Sequence, residues 1–175
     1  TEVDFSKRPF TIKTPTQELK AESVILATGA SAKWLNIESE QKLRGKGVTA
    51  CATCDGAFFK EKEVFVVGAG DSAMEEAVFL TKFASKVTVL VRKDKESMRA
   101  SKIMQQRAFD HTKIEFMFNT EVKEVLGEEK MTGLTLINNE TNETTDVDGD
   151  GLFIAIGHKP NTDIFKGQID MHENG

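Results

Sequence analysis

Residues 63–91 decide the fold, and they read EVFVVGAGDSAMEEAVFLTKFASKVTVLV. The stretch opens and closes with short apolar runs, at residues 63–67 and 86–91, of the kind that form buried parallel strands. Between the runs, small or apolar residues recur every three or four positions, at Ala73, Ala77, Leu80 and Ala84. This spacing gives a helix one apolar face that can lie on a sheet. The stretch therefore predicts a strand, a helix over residues 72–84 and a second strand.

The alternation of strand and helix continues beyond this stretch. A helix is predicted over residues 101–111 and a strand over residues 114–118, which completes a βαβαβ series. From Asn119 onward, apolar residues alternate with polar ones, which predicts an antiparallel meander. Residues 151–157 are predicted to form one more buried strand. The predicted fold is α/β, a Rossmann-like three-layer unit with a parallel sheet and an antiparallel β-meander.

The first part of the chain shows a different pattern. Residues 10–14 alternate and residues 24–27 form an apolar run, so both are predicted as strands that close a sheet. Residues 31–47 show no sustained period and contain Gly45 and Gly47, which predicts a linker or a crossing segment. These segments are typical of the end of one unit and the passage to the next.

Composition limits the classes of function. The 175 residues are 39% hydrophobic and 29% charged, as in a chain with one globular domain or one domain and parts of another. The net charge of −5 argues against a nucleic-acid partner, because domains that bind phosphate backbones are usually basic. No apolar run approaches the ~18 residues that span a bilayer, so we expect a cytoplasmic protein without a membrane partner. Because the chain begins with Thr1 rather than Met, we also expect a fragment of a longer protein.

A glycine-rich turn joins the first predicted strand to its helix. Residues 68–73, GAGDSA, fit the pattern GxGxxA at this place. Gly68 permits a tight turn, Gly70 lets the backbone approach a pyrophosphate, and Ala73 lets helix and strand pack closely. The start of the helix, with Asp71 and Ser72, would face the anion. This context predicts a dinucleotide-binding turn, and a plain strand–turn–helix is the alternative.

Basic residues follow the second strand, where NAD-binding proteins carry an acidic residue for the ribose 2′-hydroxyl. The chain has Arg92 and Lys93 at this position, with Arg99 further along. Such cations suit a 2′-phosphate, which arginine can bind in bidentate fashion. The sequence thus predicts NADPH in preference to NADH, and a solvated charged turn is the alternative.

Both cysteines of the chain lie in one motif, Cys51-Ala-Thr-Cys54. A CxxC pair can be half of a zinc site, but the three histidines show no paired spacing that would complete the ligands. Beside a nucleotide-binding unit, the motif predicts a redox pair, and no metal site is expected. Asp55 follows directly and is a candidate for proton transfer to or from a thiolate. A plain Asp–Gly turn is the alternative for Asp55.

The order of these motifs resembles that of the low-molecular-weight thioredoxin reductases. The motifs that carry the resemblance are, in chain order, Ala27-Thr28-Gly29, Cys51-Ala-Thr-Cys54-Asp55-Gly56, Gly68-Ala-Gly-Asp-Ser-Ala-Met-Glu-Glu76, Arg92-Lys-Asp94 with Arg99-Ala-Ser101, and Ala155-Ile-Gly157-His-Lys-Pro160. The cysteine pair directly precedes the nucleotide-binding glycines, whereas related flavoprotein reductases carry their redox cysteines in the FAD domain.

The resemblance implies a division into domains. Residues 1–32 would be a partial FAD-domain segment, and residues 33–157 the NADPH-binding domain with the redox pair. Residues 158–175 would be the start of the returning FAD-domain segment. The NADPH domain would turn against the FAD domain during the reaction, with hinges near residues 31–33 and 157–158.

The resemblance also implies residue roles. Cys54 would lie beside the flavin, Cys51 would exchange with thioredoxin, and Asp55 would protonate the leaving thiolate. The residues expected to bind cofactors are Gly68, Gly70, Asp71, Ser72, Ala73, Arg92, Lys93, Arg99, Ile156, Thr28 and Gly29.

The implied reaction starts with NADPH, which would reduce FAD. The flavin would reduce the cysteine disulfide, and the resulting dithiol would reduce thioredoxin, in a whole protein that is a homodimer. Two alternatives are compatible with the sequence. One is a flavin-dependent reductase that serves a peroxidase, and the other is an NADPH-binding module without turnover.

Overall fold

The computed structural model describes residues 1–175. Its strands are β1 (Glu2–Asp4), β2 (Phe10–Lys13), β3 (Glu18–Ala21), β4 (Ala30–Ala32), β5 (Val48–Thr49), β6 (Glu63–Val67), β7 (Lys86–Leu90), β8 (Ile114–Met117), β9 (Thr120–Gly127), β10 (Met131–Asn138), β11 (Thr144–Asp148), β12 (Gly151–Ile154) and β13 (His158–Pro160). Its α-helices are α1 (Glu38–Lys42), α2 (Ala52–Asp55), α3 (Asp71–Leu80) and α4 (Lys102–Phe109), and short 3-10 helices cover Gly56–Phe59 and Asp163–Phe165. None of these helices has the length and apolar character needed to cross a membrane.

The chain forms two compact units. The larger unit is Lys33–Gly157, and the smaller unit combines Thr1–Ala32 with His158–Gly175. The chain therefore passes between the units twice, once after Ala32 and once after Gly157.

A five-stranded parallel sheet, in the order β5-β12-β6-β7-β8, forms the centre of the larger unit. Strand β6 lies in the middle, pairing with β7 on one side and with β12 on the other. The inner strands are buried almost throughout, as their continuous apolar runs predicted. The predicted βαβαβ series and the final buried strand are confirmed.

Helices α3 and α4 pack on one face of this sheet. Ala73, Ala77 and Leu80 of α3 are fully buried in a core that includes the alternate valines of β6 and β7. The spacing of three and four residues in the sequence therefore marks the face that is buried, as predicted.

Helix α3 ends at Leu80, before the predicted end at residue 84. The N–H groups of Phe83 and Ala84 both donate to the Leu80 carbonyl, each at 2.9 Å, which turns the chain. The Lys113 ammonium then donates to the carbonyls of Thr81 and Ala84, at 3.0 and 2.9 Å. Ala84 is buried in this turn. The apolar spacing of the sequence therefore extends to residue 84, although the helix ends at Leu80.

The antiparallel sheet of β9, β10 and β11 lies on the other face of the parallel sheet. Apolar residues of the two sheets share a second core, formed by Val122, Val125, Leu134 and Leu136 with Phe65, Leu90, Leu152 and Ile154. The parallel strands contribute to both cores because successive side chains of a strand point to opposite faces. The predicted three-layer arrangement with its meander is confirmed.

The predicted linker contains helix α1 and a buried carboxylate. Glu40 is fully buried, and its two oxygens accept the N–H groups of Leu35 (2.8 Å) and Asn36 (3.0 Å). Arg44 lies 3.6 Å from the same carboxylate, and its guanidinium stacks on the Trp34 ring, 3.7 Å from the centroid. Most of this segment is therefore ordered structure of the larger unit.

The smaller unit contains an antiparallel sheet of β1, β2 and β3, and a separate pairing of β4 with β13. Phe5 lies between the rings of Phe10 and Phe165, with centroid distances of 5.3 and 6.0 Å. The Gln168 side chain accepts the Phe5 N–H and donates to the Val3 carbonyl, each at 2.9 Å. These contacts join the two ends of the sequence in one unit.

The predicted strand at residues 24–27 is wrong. Residues 23–29 are irregular, and the Ile25 side chain is 93% exposed. No strand of the chain pairs with this run. An apolar run forms a strand only where its N–H and C=O groups find a neighbouring strand.

Candidate active site

The glycine turn joins the end of β6 to the start of α3. Gly68 has a φ of +147°, a conformation that favours glycine. A Cβ at Gly68 would collide with the Ala155 carbonyl oxygen and lie 2.9 Å from the Ala73 Cβ. Larger side chains at Gly68 or Ala73 would push α3 away from the sheet. The two small residues thus hold the start of the helix at the sheet edge.

The outer side of the turn is open. A Cβ at Gly70 would meet no atom within 4 Å, and no side chain caps the first N–H groups of α3. Uncapped N–H groups at a helix start, together with the helix dipole, attract anions. Ser72 is exposed in the same helical turn. The turn therefore has both the donors and the space that a pyrophosphate requires.

Four exposed cations lie in the segment after β7, residues 92–101, which we name the cation loop: Arg92, Lys93, Lys95 and Arg99. Arg92, Lys93 and Arg99 form no ion pair with an acidic side chain. Asp94 lies among them, but hydrogen bonds from the Ser97 hydroxyl and N–H occupy its carboxylate and hold the pKa of Asp94 below its usual range. The three cations are therefore free to bind a phosphate.

The start of the cation loop is fixed by two asparagines of the meander. The Asn139 side-chain amide donates to the Arg92 carbonyl at 2.9 Å, and the Asn119 N–H donates to the Lys93 carbonyl at 3.0 Å. Neither asparagine was predicted from the sequence. The sequence does hold one clue to Asn119, because asparagine tolerates the left-handed region of backbone conformation better than most residues. Asn119 lies in that region, with a φ of +52°.

The end of the cation loop is fastened to the glycine turn. The Ala69 carbonyl accepts the N–H groups of Arg99 (2.8 Å) and Ala100 (2.9 Å). The Asp71 carboxylate accepts the N–H and the hydroxyl of Ser101, at 2.8 and 2.9 Å. Asp71, predicted from the sequence as a cofactor contact, uses its carboxylate for this bond to the protein. The structure thus brings the backbone of Arg99 next to the glycine turn.

The remaining residues predicted to bind cofactors lie elsewhere. Ile156 is half-buried and packs against the core between the two sheets. Thr28 and Gly29 belong to the smaller unit, where their carbonyls accept the side-chain and backbone N–H groups of Asn161, at 3.1 and 3.0 Å. Only the residues of the glycine turn and of the cation loop are brought together within the larger unit.

Cys51 and Cys54 form a disulfide at the start of α2, with their Cα atoms 5.3 Å apart. Cys51 is the N-cap residue and is half-buried, whereas Cys54 is exposed. The Cys51 sulfur accepts the Cys54 N–H at 3.2 Å, and a thiolate at Cys51 would be stabilised by this donor. The side chains of the protein form no group of three or more His, Cys, Asp or Glu that could hold a metal ion.

A threonine connects the disulfide to Asp55. The Thr49 hydroxyl accepts the Cys51 N–H at 3.2 Å and donates to the Asp55 carboxylate. Gly56 is buried directly after Asp55, and a Cβ there would lie 3.2 Å from the Leu80 side chain. Asp55 is therefore held in place beside the cysteines from two sides. Thr49 was not predicted from the sequence, and no local pattern marks it.

Glu76 of α3 lies close to the start of the CxxC helix. Its Oε2 atom is buried without a hydrogen-bond partner, and the N–H of Ala52, next to Cys51, faces the carboxylate. Burial raises the pKa of Glu76 to about 7, and the Ala52 N–H offsets part of the rise. The sequence could have indicated that Glu76 is partly buried, because on the helix it lies beside the apolar positions Ala73 and Leu80.

Glu76→Gln is expected to change how stability depends on pH. The pKa of glutamate in an unfolded chain is about 4.3, so folded Glu76, with a pKa of about 7, binds more protons between these values. The free energy of unfolding of the wild-type chain should therefore fall as the pH rises through this window, by about 1–2 kcal/mol, because solvent screens part of the effect at a half-buried carboxylate. The variant, which cannot ionise at this position, should lack this fall in urea denaturation series at about pH 5 and about pH 8.

Glu75→Gln is the matched control, because Glu75 is exposed on the same helix. This variant should keep the wild-type fall in stability. If the free energy of unfolding fell equally between these two pH values in the wild type and in Glu76→Gln, the pKa of Glu76 would not be raised.

The larger unit carries a glycine turn open to an anion, a loop of free cations and a disulfide. Together these features are typical of the oxidoreductases that couple a pyridine nucleotide to a disulfide. The chain belongs to the pyridine nucleotide-disulphide oxidoreductase family, which matches residues 1–175. Membership of this family implies nicotinamide and flavin cofactors.

The chain is similar to several thioredoxin reductases, as the order of its motifs predicted. The thioredoxin reductase of Rickettsia felis is 52% identical over 176 residues, which cover 98% of this chain and 56% of that protein. That of Dictyostelium discoideum is 48% identical over 178 residues, covering 99% of this chain and 55% of that protein. The crystal structure of Lactococcus lactis thioredoxin reductase matches with a TM-score of 0.90 at 38% identity, covering 100% of this chain and 57% of that one. The predicted resemblance is confirmed, and the chain spans about half the length of these relatives.

Proposed function

We propose that this chain is part of an NADPH-dependent thioredoxin-disulfide reductase. One observation carries the proposal: the Cys51–Cys54 disulfide and the glycine turn lie in the same α/β unit, where α2 packs on α3. The similarity to thioredoxin reductases supports thioredoxin as the substrate. In this proposal, Lys33–Gly157 is the NADPH-binding domain, and Thr1–Ala32 with His158–Gly175 is part of an FAD domain.

Two parts of the larger unit fit a bound NADPH. The open backbone at Gly70 and the uncapped N–H groups of α3 would hold the pyrophosphate. Arg92, Lys93 and Arg99 would hold the 2′-phosphate, which is the only chemical difference between NADPH and NADH. When bound, NADPH supplies a hydride, and the FAD of the whole protein provides the route for the electron pair to the disulfide.

The residues around the disulfide are proposed to carry out thiol–disulfide exchange. Uptake of two electrons and two protons converts the disulfide to two thiols. The Cys51 thiolate would attack the thioredoxin disulfide and displace one of its sulfurs. Cys54 would then attack the mixed disulfide, which reforms the Cys51–Cys54 bond and releases reduced thioredoxin. Asp55, held by Thr49, would give and take the protons of the thiols.

The remaining proposals concern the whole protein. We expect a cytoplasmic homodimer in which Thr28, Gly29 and Ile156 contact the cofactors. The two chain crossings are proposed as hinges between the domains. At one of them, Gly157 has a φ of +95°, a conformation that favours glycine, and a Cβ there would meet no atom within 4 Å.

Arg92→Ala is expected to weaken NADPH binding by about 10- to 100-fold, because one charge-assisted contact with the 2′-phosphate is lost. NADH lacks this phosphate, so its affinity should stay unchanged. Calorimetric titration of the purified chain with each nucleotide measures both. Lys95→Ala is the matched control, since Lys95 lies in the same loop but its ammonium packs over the Phe109 ring, 4.3 Å from the centroid. Equal affinity of the wild-type chain for the two nucleotides would contradict the proposed phosphate site.

Cys51→Ser in the whole protein is expected to abolish thioredoxin reduction and to leave flavin reduction by NADPH intact, because hydride transfer does not involve sulfur. Stopped-flow absorbance of the flavin and a thioredoxin-reduction assay measure the two half-reactions. Thr53→Ser, a change at the exposed residue between the cysteines, should retain both.

Loss of both half-reactions in Cys51→Ser would mean that the roles are misassigned. A wild-type protein that reduces its flavin but not thioredoxin would identify another protein disulfide as the substrate, such as that of a peroxidase. A protein that binds NADPH without reducing a flavin would be a binding module.

A further inference from the structure

The two parts of the proposed nucleotide site are fastened together across a long stretch of sequence. The Ala69 carbonyl accepts the N–H groups of Arg99 (2.8 Å) and Ala100 (2.9 Å). The Asp71 Oδ1 atom accepts the N–H (2.8 Å) and the hydroxyl (2.9 Å) of Ser101, 30 residues further along the chain. All these bonds join the glycine turn to the end of the cation loop that carries Arg99.

The Asp71 carboxylate is poorly suited to contact a phosphate itself. It is negatively charged, it accepts hydrogen bonds without donating them, and it lies in the first turn of α3, where the anion is proposed to bind. Ser101 is the N-cap residue of α4, but its hydroxyl accepts no N–H group of that helix and donates instead to Asp71. The pair therefore links the starts of the two helices to each other.

We propose that Asp71 is a positioning residue that sets the preference for NADPH over NADH, because through Ser101 it holds Arg99 beside the glycine turn. The inference rests on the proposed binding of NADPH. Arg99 is exposed between two buried residues, Met98 and Ala100, so the path of this backbone decides where its guanidinium can reach.

Loss of the bond between Asp71 and Ser101 should affect the two phosphate sites unequally. The Ala69 carbonyl would then be the remaining hydrogen-bonded link between the turn and the loop end, and Arg99 would be placed less accurately at the 2′-phosphate. The uncapped N–H groups of α3 would stay in place, because Gly68 and Ala73 fix them. NADPH should therefore lose affinity relative to NADH.

The test measures the affinities of the 175-residue chain for NADPH and NADH by calorimetry, with thermal unfolding of each variant as a check on folding. Asp71→Ala removes both bonds to Ser101 and should reduce the NADPH-over-NADH ratio by about tenfold. Asp71→Asn keeps an oxygen acceptor and should retain the ratio. Ser101→Ala loses only the hydroxyl bond and should give an intermediate ratio. Glu75→Ala, which removes an exposed carboxylate from the same helix, is the matched control and should retain the ratio.

The inference is overturned if a folded Asp71→Ala chain keeps the wild-type ratio. It is also overturned if Asp71→Asn lowers the ratio of NADPH affinity to NADH affinity as much as Asp71→Ala does. The lost charge, rather than the lost hydrogen bonds, would then explain the lower ratio. If Asp71→Ala does not fold, the Ser101→Ala variant provides the test. An affinity ratio in Ser101→Ala equal to that of the wild-type chain then overturns the inference. A wild-type chain that binds neither nucleotide, or both equally, contradicts the proposed function itself, which distinguishes the two failures.

Discussion

The close approach of strand β12 and helix α3 at the glycine turn is the constraint on which the site depends. A side chain at Gly68 would collide with the Ala155 carbonyl, and one larger than that of Ala73 would force the helix off the sheet. Because both residues are small, the uncapped start of α3 lies at the carboxyl edge of the parallel sheet. From this place, Ala69 and Asp71 bind the end of the cation loop. The close packing of strand and helix therefore brings together the N–H groups of α3 and the cation loop, which are the groups suited to bind a dinucleotide.

The disulfide depends on the same helix. Ala52, directly after Cys51, is buried in the core that α3 forms with the sheet, and Glu76 reaches its N–H from α3. Thr49 of the edge strand β5 holds Asp55 from the other side. Helix α3 thus presents its N-terminus to the proposed nucleotide site and its side to the disulfide. One packed framework fixes the geometry of both parts of the proposed reaction.

Local patterns in the sequence predicted the parallel sheet, its helices and the meander, because periodicity, glycine turns and residue spacing act over a few residues. The features that were missed or wrong depend on partners far along the chain. Asp71 meets Ser101 only in the folded unit, and Lys113 binds the carbonyls of the turn after α3 from another loop. The buried Glu40 organises a segment without periodicity, and residues 24–27 have the composition of a strand but no neighbour to pair with.

The measurement that tests the central claim most directly is an NMR titration of the purified chain with NADPH, followed through its backbone amide shifts. We predict that the largest shifts fall on the glycine turn, residues 68–73, and on the cation loop, residues 92–101. NADH should shift the turn but much less the loop, because it lacks the 2′-phosphate. Shifts confined to the smaller unit, or no shifts at all, would contradict the conclusion that α3 and the cation loop form one nucleotide site.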